Sequence, residues 1–211
     1  GLPPQLRLVP EISIKDIDPA VLRTEEDRDN FDYVFSMKGL ATLQGHEYMT
    51  KRHGVKRFVE KYPQAYSEII DLESKNVQEQ IKKVIQTWEE RKILDKKEHK
   101  LDHELDAIMR VLNNAGQLRI ISRGIFLDSE MLGFAIFEIL SNRFSICHFW
   151  KCNPQYKGIY DFLMHASAKY LTQASIEYMD VEQDLGILLL RHAKNSYRPV
   201  DFLKKYRVSH Q

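Results

Sequence analysis

The feature that most constrains the fold is a change of hydrophobic pattern at about residue 117. Two segments before it, 76–94 and 98–116, place apolar side chains at the spacing of an amphipathic helix. The second segment ends on Gly116, a residue that commonly follows the last turn of a helix. The sequence therefore predicts two consecutive helices up to this point.

The pattern after residue 117 is typical of a sheet. Short segments rich in β-branched or aromatic residues are separated by turns, and such segments form consecutive antiparallel strands. They cover residues 117–124, 130–140 and 143–150. A loop with one glycine and an amphipathic helix at 157–174 follow. This order predicts an α+β fold, with a mainly antiparallel sheet flanked by helices.

The remaining segments have weaker patterns. Residues 1–30 contain prolines and then acidic residues, and we interpret them as an extended arm and a connector. Residues 37–63 have helical character up to Pro63, with a predicted break at Gly45 or Gly54. Further predictions are strands at 31–36, 66–72 and 175–183, a helix at 185–196 and a terminal strand or tail at 197–208.

Length and composition set broad limits. The 211 residues suffice for one large domain or two small ones, and shares of 43% hydrophobic and 29% charged residues are ordinary for a globular protein. The best apolar run, 131–140, is too short to span a bilayer, and the chain does not open on a secretory signal. We expect Cys147 and Cys152 to be reduced thiols, because extended chain between them would hold them apart. These observations favour a cytoplasmic protein.

Positive charge is concentrated in two segments. Residues 51–61 carry five Lys or Arg against one Glu, and residues 191–207 carry six against one Asp. Such segregation suggests an anionic partner. Two solvated basic faces are the alternative interpretation.

Two groups of residues resemble metal or nucleophile sites only superficially. His99 and His103 share a helix face, but the segment lacks the HExxH order and no third ligand is evident. Cys147, His148 and Cys152 lack the paired short spacings of a zinc site, and neighbours on a strand point to opposite faces. We therefore predict no metal site.

The loop QYKGIY, from Gln155 to Tyr160, is a candidate phosphate cradle. Small residues let backbone N–H groups approach a phosphate, and a helix N-terminus adds partial positive charge. A strand meander, a glycine turn and a helix resemble the central motif of the GCN5-related acetyltransferase (GNAT) fold, whose pyrophosphate loop runs Q/R-x-x-G-x-G/A. Gln155 and Gly158 match, but Tyr160 stands where that family keeps a small residue. This departure argues against acetyl-CoA as a cofactor.

The segment 178–206 resembles more specifically the phosphatidylglycerol lysyltransferase C-terminal domain family, a GNAT-like family. Its pattern runs N-x-E-x-D-L-G-I and then L-R-x-x-K-x-S-Y-x-P. The matching residues are Glu182, Asp184, Leu185, Gly186, Leu190, Arg191, Lys194, Ser196, Tyr197 and Pro199. Segments 32–58 and 148–163 also match, so the resemblance covers about residues 31–207. Trp150, His53 and Asp180 depart from the usual Glu, Asn and Asn.

The resemblance implies a domain division. Family members carry two tandem GNAT lobes, and this chain retains only the end of the first. The implied division is an arm or connector at 1–30, a remnant of a first lobe at 31–75 and a GNAT-like domain at 76–211.

The resemblance also implies an activity. Relatives take an aminoacyl group from an aminoacyl-tRNA and pass it to an amine or hydroxyl of a lipid or another acceptor, with no further cofactor. Peripheral contact with a membrane would accompany a lipid acceptor. Such an enzyme mainly positions its two substrates and stabilises a developing oxyanion.

Site residues follow from the same resemblance. Glu182 and Asp184 are the candidates to hold the amino group of the carried residue, and Tyr197 is the candidate proton donor or hydrogen-bonding clamp. The candidates for substrate binding are Arg191, Lys194, Ser196, Lys151, Gln155 and Gly158. The candidates for contact with tRNA phosphates are Lys51, Arg52, Lys56 and Arg57.

Each assignment has a structural alternative. Arg191 and Lys194 could pair with Glu182 and Asp184 as an internal network, and Tyr197 could be a packed core ring. The chain as a whole could be a non-catalytic remnant that binds RNA or another partner. A CoA-dependent N-acetyltransferase is a third alternative, which Tyr160 disfavours.

Overall fold

The computed structural model describes residues 5–94, 101–141 and 143–211, which divide into two compact units. The smaller unit combines Gly1–Ser36 with Tyr178–Gln211, and the larger unit is Met37–Glu177. In chain order the strands are β1 (Gln5–Pro10), β2 (Leu22–Glu26), β3 (Asp32–Ser36), β4 (Tyr66–Ile69), β5 (Ile120–Leu127), β6 (Glu130–Ile139), β7 (Phe144–Cys152), β8 (Tyr178–Asp180), β9 (Asp201–Leu203) and β10 (Lys205–His210). The α-helices are α1 (Met37–Thr42), α2 (Met49–Lys61), α3 (Lys75–Leu94), α4 (Leu101–Asn113), α5 (Ile159–Gln173) and α6 (Leu188–Asn195).

The larger unit is built on the antiparallel meander that the sequence predicts. Strands β4, β5, β6 and β7 pair in that order, with Gly124 opposite Phe134 and Phe134 opposite Lys151. Asp128 and Ser129 connect β5 to β6 with positive φ angles of 49° and 68°, the conformation that two-residue hairpin turns favour. The predicted α+β class with a mainly antiparallel sheet is confirmed.

Helices α3 and α4 cover this sheet with the residues that their periodicity selects. Ile81, Val84 and Ile85 of α3 are buried in one cluster with Ile108 and Leu112 of α4. The same cluster includes Phe134 and Ile136 of β6, so the amphipathic stripe of each helix meets the apolar face of the sheet. Helix α5 contacts β5, β6 and β7, and it also packs against α1 and α2.

The predicted helix at 37–63 is two helices. The chain leaves α1 after Thr42, passes Gly45 with φ of 91°, and re-enters a helix at Met49. Gly45 is one of the two predicted break points, and its left-handed backbone favours glycine. Gly54 lies inside α2 and does not interrupt it.

The smaller unit contains two short antiparallel arrays. In one, β3 lies between β8 and β9, with Val34 opposite both Asp180 and Asp201. In the other, β10 lies between β1 and β2. The predicted terminal strand is thus two strands, β9 and β10, and part of the predicted arm forms β1 and β2. These N-terminal strands are exposed and charged, so they show little of the apolar alternation that identifies a half-buried strand.

The two units are defined by which residues contact one another in space. The predicted boundaries at residues 30 and 75 concern a remnant of a first lobe, so that division stays a prediction.

Candidate functional site

The loop between β8 and α6 has an unusual backbone. Glu182, Leu185 and Gly186 have positive φ angles of 59°, 56° and 74°. A left-handed conformation is unfavourable by roughly 1–2 kcal/mol for a residue other than glycine, so two such residues within four positions need external support. This loop carries the E-x-D-L-G-I motif, from Glu182 to Ile187.

Asp184 supplies that support from the centre of the loop. Its side chain is fully buried, and Arg191 donates to both carboxylate oxygens at 2.8 and 2.9 Å. Tyr33 donates its hydroxyl to Oδ2 at 2.5 Å, and the Gly186 N–H donates to Oδ1 at 2.9 Å. Arg28 lies 3.4 Å from Oδ2. We call Asp184 and these four donors the Asp184 hub.

The hub keeps Asp184 charged. Burial alone would raise its pKa, but the hydrogen bonds from Arg191, Tyr33 and Gly186 outweigh burial and lower the pKa of Asp184. Hydrogen bonds to Asp184, and to Asp29 at 2.6 Å, raise the pKa of Arg191. Burial and the bond to Asp184 raise the pKa of Tyr33. The hub is therefore a fixed array of charges around neutral pH.

Lys194 holds the same loop from its other side. Its ammonium group donates to the carbonyl oxygens of Val181, Glu182 and Gln183 at 2.5, 3.0 and 2.8 Å. One ammonium group thus satisfies three consecutive backbone acceptors with its three N–H donors. The structure therefore brings Arg191, Lys194 and Asp184 together, with Lys194 on backbone oxygens.

A second group of carboxylates lies beside the loop. Burial raises the pKa of Asp180 to about 6, although its Oδ1 accepts a hydrogen bond from the Glu182 N–H at 2.6 Å. Burial also raises the pKa of Asp32, whose Oδ1 lies 2.7 Å from the Lys205 ammonium. Glu182 itself is half-buried, so solvent reaches part of its surface.

Ser196 and Tyr197 follow the last residue of α6. The Tyr197 ring is buried and stacks on Phe35, with ring centroids 5.6 Å apart. The Ser196 hydroxyl donates to the Ala193 carbonyl at 2.6 Å, a local contact at the helix end. The ring environment of Tyr197 is that of a core residue.

The loop at Gln155–Tyr160 belongs to the larger unit. Gly158 has φ of 89°, and a Cβ atom there would lie 2.3 Å from the carbonyl oxygen of Gly54 in α2. The glycine is therefore required for close packing of the loop on α2. The Gln155 N–H donates to Asn153 Oδ1 at 3.0 Å. Tyr160 is largely buried, its hydroxyl donates to the Cys152 carbonyl at 3.2 Å, and burial raises its pKa.

Lys151 is buried at the end of β7. Its ammonium group lies 2.6 Å from Glu104 Oε1 and 3.8 Å from the ring centroid of Trp88. An ion pair and a cation–π contact together orient this cation within the larger unit. The ring of Trp150, next along the strand, packs edge-on against Tyr160 at 5.7 Å.

The four basic residues predicted on α2 differ in their accessibility. Lys51 is buried with its ammonium 3.2 Å from Asp161, and Arg52 donates to the carbonyl oxygens of Leu43 and Gly45. Lys56 and Arg57 are exposed, and Lys56 lies 3.6 Å from Glu60 in a solvent-screened pair. Arg52 is exposed as well, but of these three exposed cations it is the one that donates to loop carbonyls.

Comparison with known proteins places the chain in a family. Residues 12–209 match the family described as "Phosphatidylglycerol lysyltransferase, C-terminal". The chain belongs to this family. A curated relative, an uncharacterised protein of Mycoplasmoides gallisepticum, is 23% identical over 177 residues, which are 84% of this chain and 55% of the relative. The chain thus spans about half the length of that relative.

Solved structures share the family fold. A conserved protein of unknown function from Bacteroides thetaiotaomicron is 25% identical, with a TM-score of 0.84 over 98% of this chain and 69% of that chain. L-PGS from Bacillus licheniformis and the C-terminal domain of a putative lysylphosphatidylglycerol synthetase from Agrobacterium fabrum are each 12% identical, with TM-scores of 0.67 and 0.65. Each match covers 97% of this chain and 67% of that chain. The predicted α+β fold class and the predicted family are confirmed.

Some residues around Asp184 and Arg191 were not predicted from the sequence. Arg28, Asp29 and Tyr33 meet Asp184 and Arg191 from segments more than 150 residues away in the chain. The Asp-Tyr pair at 32–33, which opens the matching segment 32–58, was the one available signal for Tyr33.

The part of the chain that the structure describes has neither a metal-binding cluster nor a membrane-spanning helix. Across residues 5–94, 101–141 and 143–211, no three His, Cys, Asp or Glu side chains are grouped so as to hold a metal ion. His99 and the side chain of His103 lie outside what is described. Cys147 and Cys152 are buried and are not joined by a disulfide. In the same ranges, no helix has the length and apolar character needed to cross a membrane.

Proposed function

We propose that this chain transfers an aminoacyl group from an aminoacyl-tRNA to a hydroxyl or amine of a lipid headgroup. The observation that carries the proposal is the match of residues 12–209 to the phosphatidylglycerol lysyltransferase family. The buried Asp184 hub lies within the matching segment and supports it, because a fixed array of charges is what substrate positioning requires.

The reaction is a transesterification or an aminolysis. The acceptor oxygen or nitrogen attacks the carbonyl carbon of the aminoacyl ester, and the bond from that carbon to the ribose oxygen of the tRNA breaks. The ribose oxygen takes up one proton and the acceptor loses one, so the reaction needs no oxidant or reductant. The protein must hold both partners and stabilise the tetrahedral oxyanion.

The geometry divides the two predicted carboxylates. Both oxygens of Asp184 accept hydrogen bonds from the protein, which suits a positioning residue. Glu182 is half-buried and therefore suited to hold the amino group of the carried residue. Tyr197 is buried against Phe35. It could act as a proton donor only if a substrate reached its hydroxyl group. We assign the amino-group contact to Glu182.

The exposed pair Lys56 and Arg57 is proposed to contact tRNA phosphates. These two side chains are solvent-exposed on α2, whereas Lys51 and Arg52 are engaged by Asp161 and by loop carbonyls. Each phosphate contact that is lost lowers the slope of log affinity against log salt by about 0.7–0.9. The double variant Lys56→Ala/Arg57→Ala should therefore bind tRNA more weakly and with a smaller salt slope.

The transfer assay tests the enzyme directly. The 211-residue chain is incubated with tRNA charged with labelled amino acids and with vesicles containing phosphatidylglycerol, and label is counted in the lipid extract. Glu182→Gln should lower the transfer rate at least about tenfold, since a charge-assisted contact is worth about 1.5–3 kcal/mol. Glu79→Gln, an exposed carboxylate on α3, is the control and should leave transfer unchanged.

A non-catalytic remnant of the fold is the second candidate. The observation that favours it is that Asp184 and Lys194 are both bound within the protein, Asp184 by Arg191 and Lys194 by loop carbonyls. A purely structural role is enough to explain these contacts. Retained tRNA binding without label in lipid would overturn the enzyme and support this candidate. Binding of CoA in place of tRNA would overturn both. The matched control for binding is Lys82→Ala/Lys83→Ala, an exposed lysine pair on α3.

A further inference from the structure

Three leucines at the start of α6 are exposed to solvent. Leu185, Leu188 and Leu189 expose 59%, 75% and 62% of their surface. Single exposed leucines are common on protein surfaces, whereas three within five residues concentrate exposed apolar surface in one short segment. We call these three residues the leucine patch.

The backbone that presents the leucine patch is fixed. Leu185 has a left-handed φ of 56°, which is unfavourable for a leucine, and Asp184 holds the following turn. The Gly186 N–H donates to Asp184 Oδ1, and the Ile187 N–H donates to the Asp184 carbonyl at 2.9 Å. Backbone strain that the surroundings enforce concentrates at functional positions. The exposure of these leucines is thus a built feature of the loop.

The charge around the patch selects one kind of partner. Residues 185–200 contain two arginines, one lysine and one histidine and no aspartate or glutamate. Asp184 and Asp29 pair with Arg191, and loop carbonyls bind Lys194, so the basic flank consists of His192 and Arg198. His192 and Arg198 are exposed. Apolar side chains flanked by basic residues suit an anionic lipid surface, where leucines enter the headgroup boundary and cations meet phosphates. A second copy of the chain would set the same basic segment against itself, because a two-fold interface pairs identical surfaces.

We propose that the leucine patch and its basic flank dock this protein on a membrane that contains anionic phospholipid. The inference rests on the proposed function for the choice of a lipid acceptor, which docking would bring to the Asp184 hub that anchors the patch. Binding itself does not require transfer, so the two are measured separately.

Vesicle flotation tests the docking surface. The 211-residue chain is mixed with vesicles of phosphatidylcholine alone or with phosphatidylglycerol added, and the bound fraction is measured. Leu188→Ser/Leu189→Ser should lower the partition coefficient at least about tenfold, as expected for two leucines that no longer enter the bilayer. The matched control is Leu118→Ser/Leu140→Ser, two leucines of the larger unit that are 42% and 56% exposed, and it should bind as the parent does.

The charge component has its own variant. His192→Gln/Arg198→Gln should weaken binding to the phosphatidylglycerol vesicles about fivefold and leave binding to phosphatidylcholine nearly unchanged. Added salt should narrow the difference between the two vesicle types, because salt screens exposed charges. Circular dichroism and thermal melting confirm that each variant is folded.

Several results would overturn the docking proposal. These are the absence of vesicle binding, equal losses in the leucine variant and its control, or a loss of self-association in light scattering without any effect on vesicles. Transfer to a dispersed short-chain phosphatidylglycerol separates the two proposals. Docking predicts that Leu188→Ser/Leu189→Ser slows transfer on vesicles and leaves it unchanged on the dispersed lipid. Vesicle binding without transfer to either lipid form overturns the proposed function and leaves docking supported.

Discussion

Gly158 and Gly186 each lie just before a helix, and each has a left-handed backbone conformation, with φ of 89° and 74°. The surroundings of the two glycines differ. A Cβ atom at Gly158 would meet the backbone oxygen of Gly54 at 2.3 Å, so this turn is a packing contact between a loop and α2. A Cβ atom at Gly186 would meet the carboxylate end of Asp29 at 2.9 Å, within a polar network. The same sequence signal therefore serves close packing in one unit and the presentation of a charged loop in the other.

The largest effect is expected from a substitution that disrupts the turn at Gly186, which we call the polar turn. Asp184→Asn should lower the free energy of unfolding by about 3–5 kcal/mol, because it removes the buried carboxylate that pairs with both Arg191 and Arg28, and Asp29 remains as a partner for Arg191 only. Urea unfolding followed by circular dichroism measures the change. Asp29→Asn is the control, since that side chain is 59% exposed and its ion pair with Arg191 should contribute less than about 1 kcal/mol. Equal losses in the two variants would contradict the central position of Asp184.

The next largest effect is expected from a substitution in the turn at Gly158, which packs on α2 and which we call the packed turn. Gly158→Ala should lower the free energy of unfolding by about 3 kcal/mol or more, because a left-handed alanine is strained and its methyl group meets a backbone atom that cannot rotate away. Urea unfolding again provides the measurement. A loss below about 1 kcal/mol would show that α2 shifts to accept the methyl group.

The third effect concerns a carboxylate beside the polar turn and depends on pH. The pKa of Asp180 in the folded protein is about 6, above its ordinary value of 3.8, so the native state holds this proton more tightly than the unfolded state does. Stability should therefore fall as pH rises from about 4 to about 6, with the full penalty above that range. The difference of about two between the pKa of Asp180 in the folded protein and its ordinary value corresponds to a loss of at most about 3 kcal/mol in the free energy of unfolding.

Asp180→Asn tests that penalty. An asparagine keeps an oxygen acceptor for the Glu182 N–H and carries no charge to desolvate. We expect stabilisation by up to about 3 kcal/mol at pH 7 and almost none at pH 4, measured by urea unfolding at both values. Asp106→Asn, an exposed aspartate on α4, should change little at either pH. Destabilisation of the Asp180 variant at pH 7 would show that the charged form is required.

The smallest effect sharpens the contrast between the glycines. Gly186→Ala should lower the free energy of unfolding by only about 1–2 kcal/mol, since the strain of a left-handed alanine remains but the neighbouring Asp29 side chain can move. A loss as large as that of Gly158→Ala would mean that the polar turn is as tightly packed as the other. Thermal melting of the two variants side by side gives the ranking.

The sequence by itself determined the elements whose pattern is local. The spacing of Ile81, Val84 and Ile85 predicted the buried face of α3, and the turn-separated strand segments predicted the meander of β5, β6 and β7. Motif residues also identified the family, because Glu182, Asp184 and Gly186 stand at characteristic spacing. Local pattern suffices for such features, since helical and strand periods are properties of neighbouring residues.

Only the tertiary structure decided what the motif residues contact. Arg28 and Tyr33 reach Asp184 across 156 and 151 residues, and no periodicity relates positions so far apart. The tertiary structure likewise decided that Lys194 donates to backbone carbonyls. It also decided that residue 158 must be glycine, because a side chain there would meet the backbone of Gly54. Hydrogen bonds and steric limits act between atoms that folding brings together, so the chemistry of a shared motif depends on its distant neighbours.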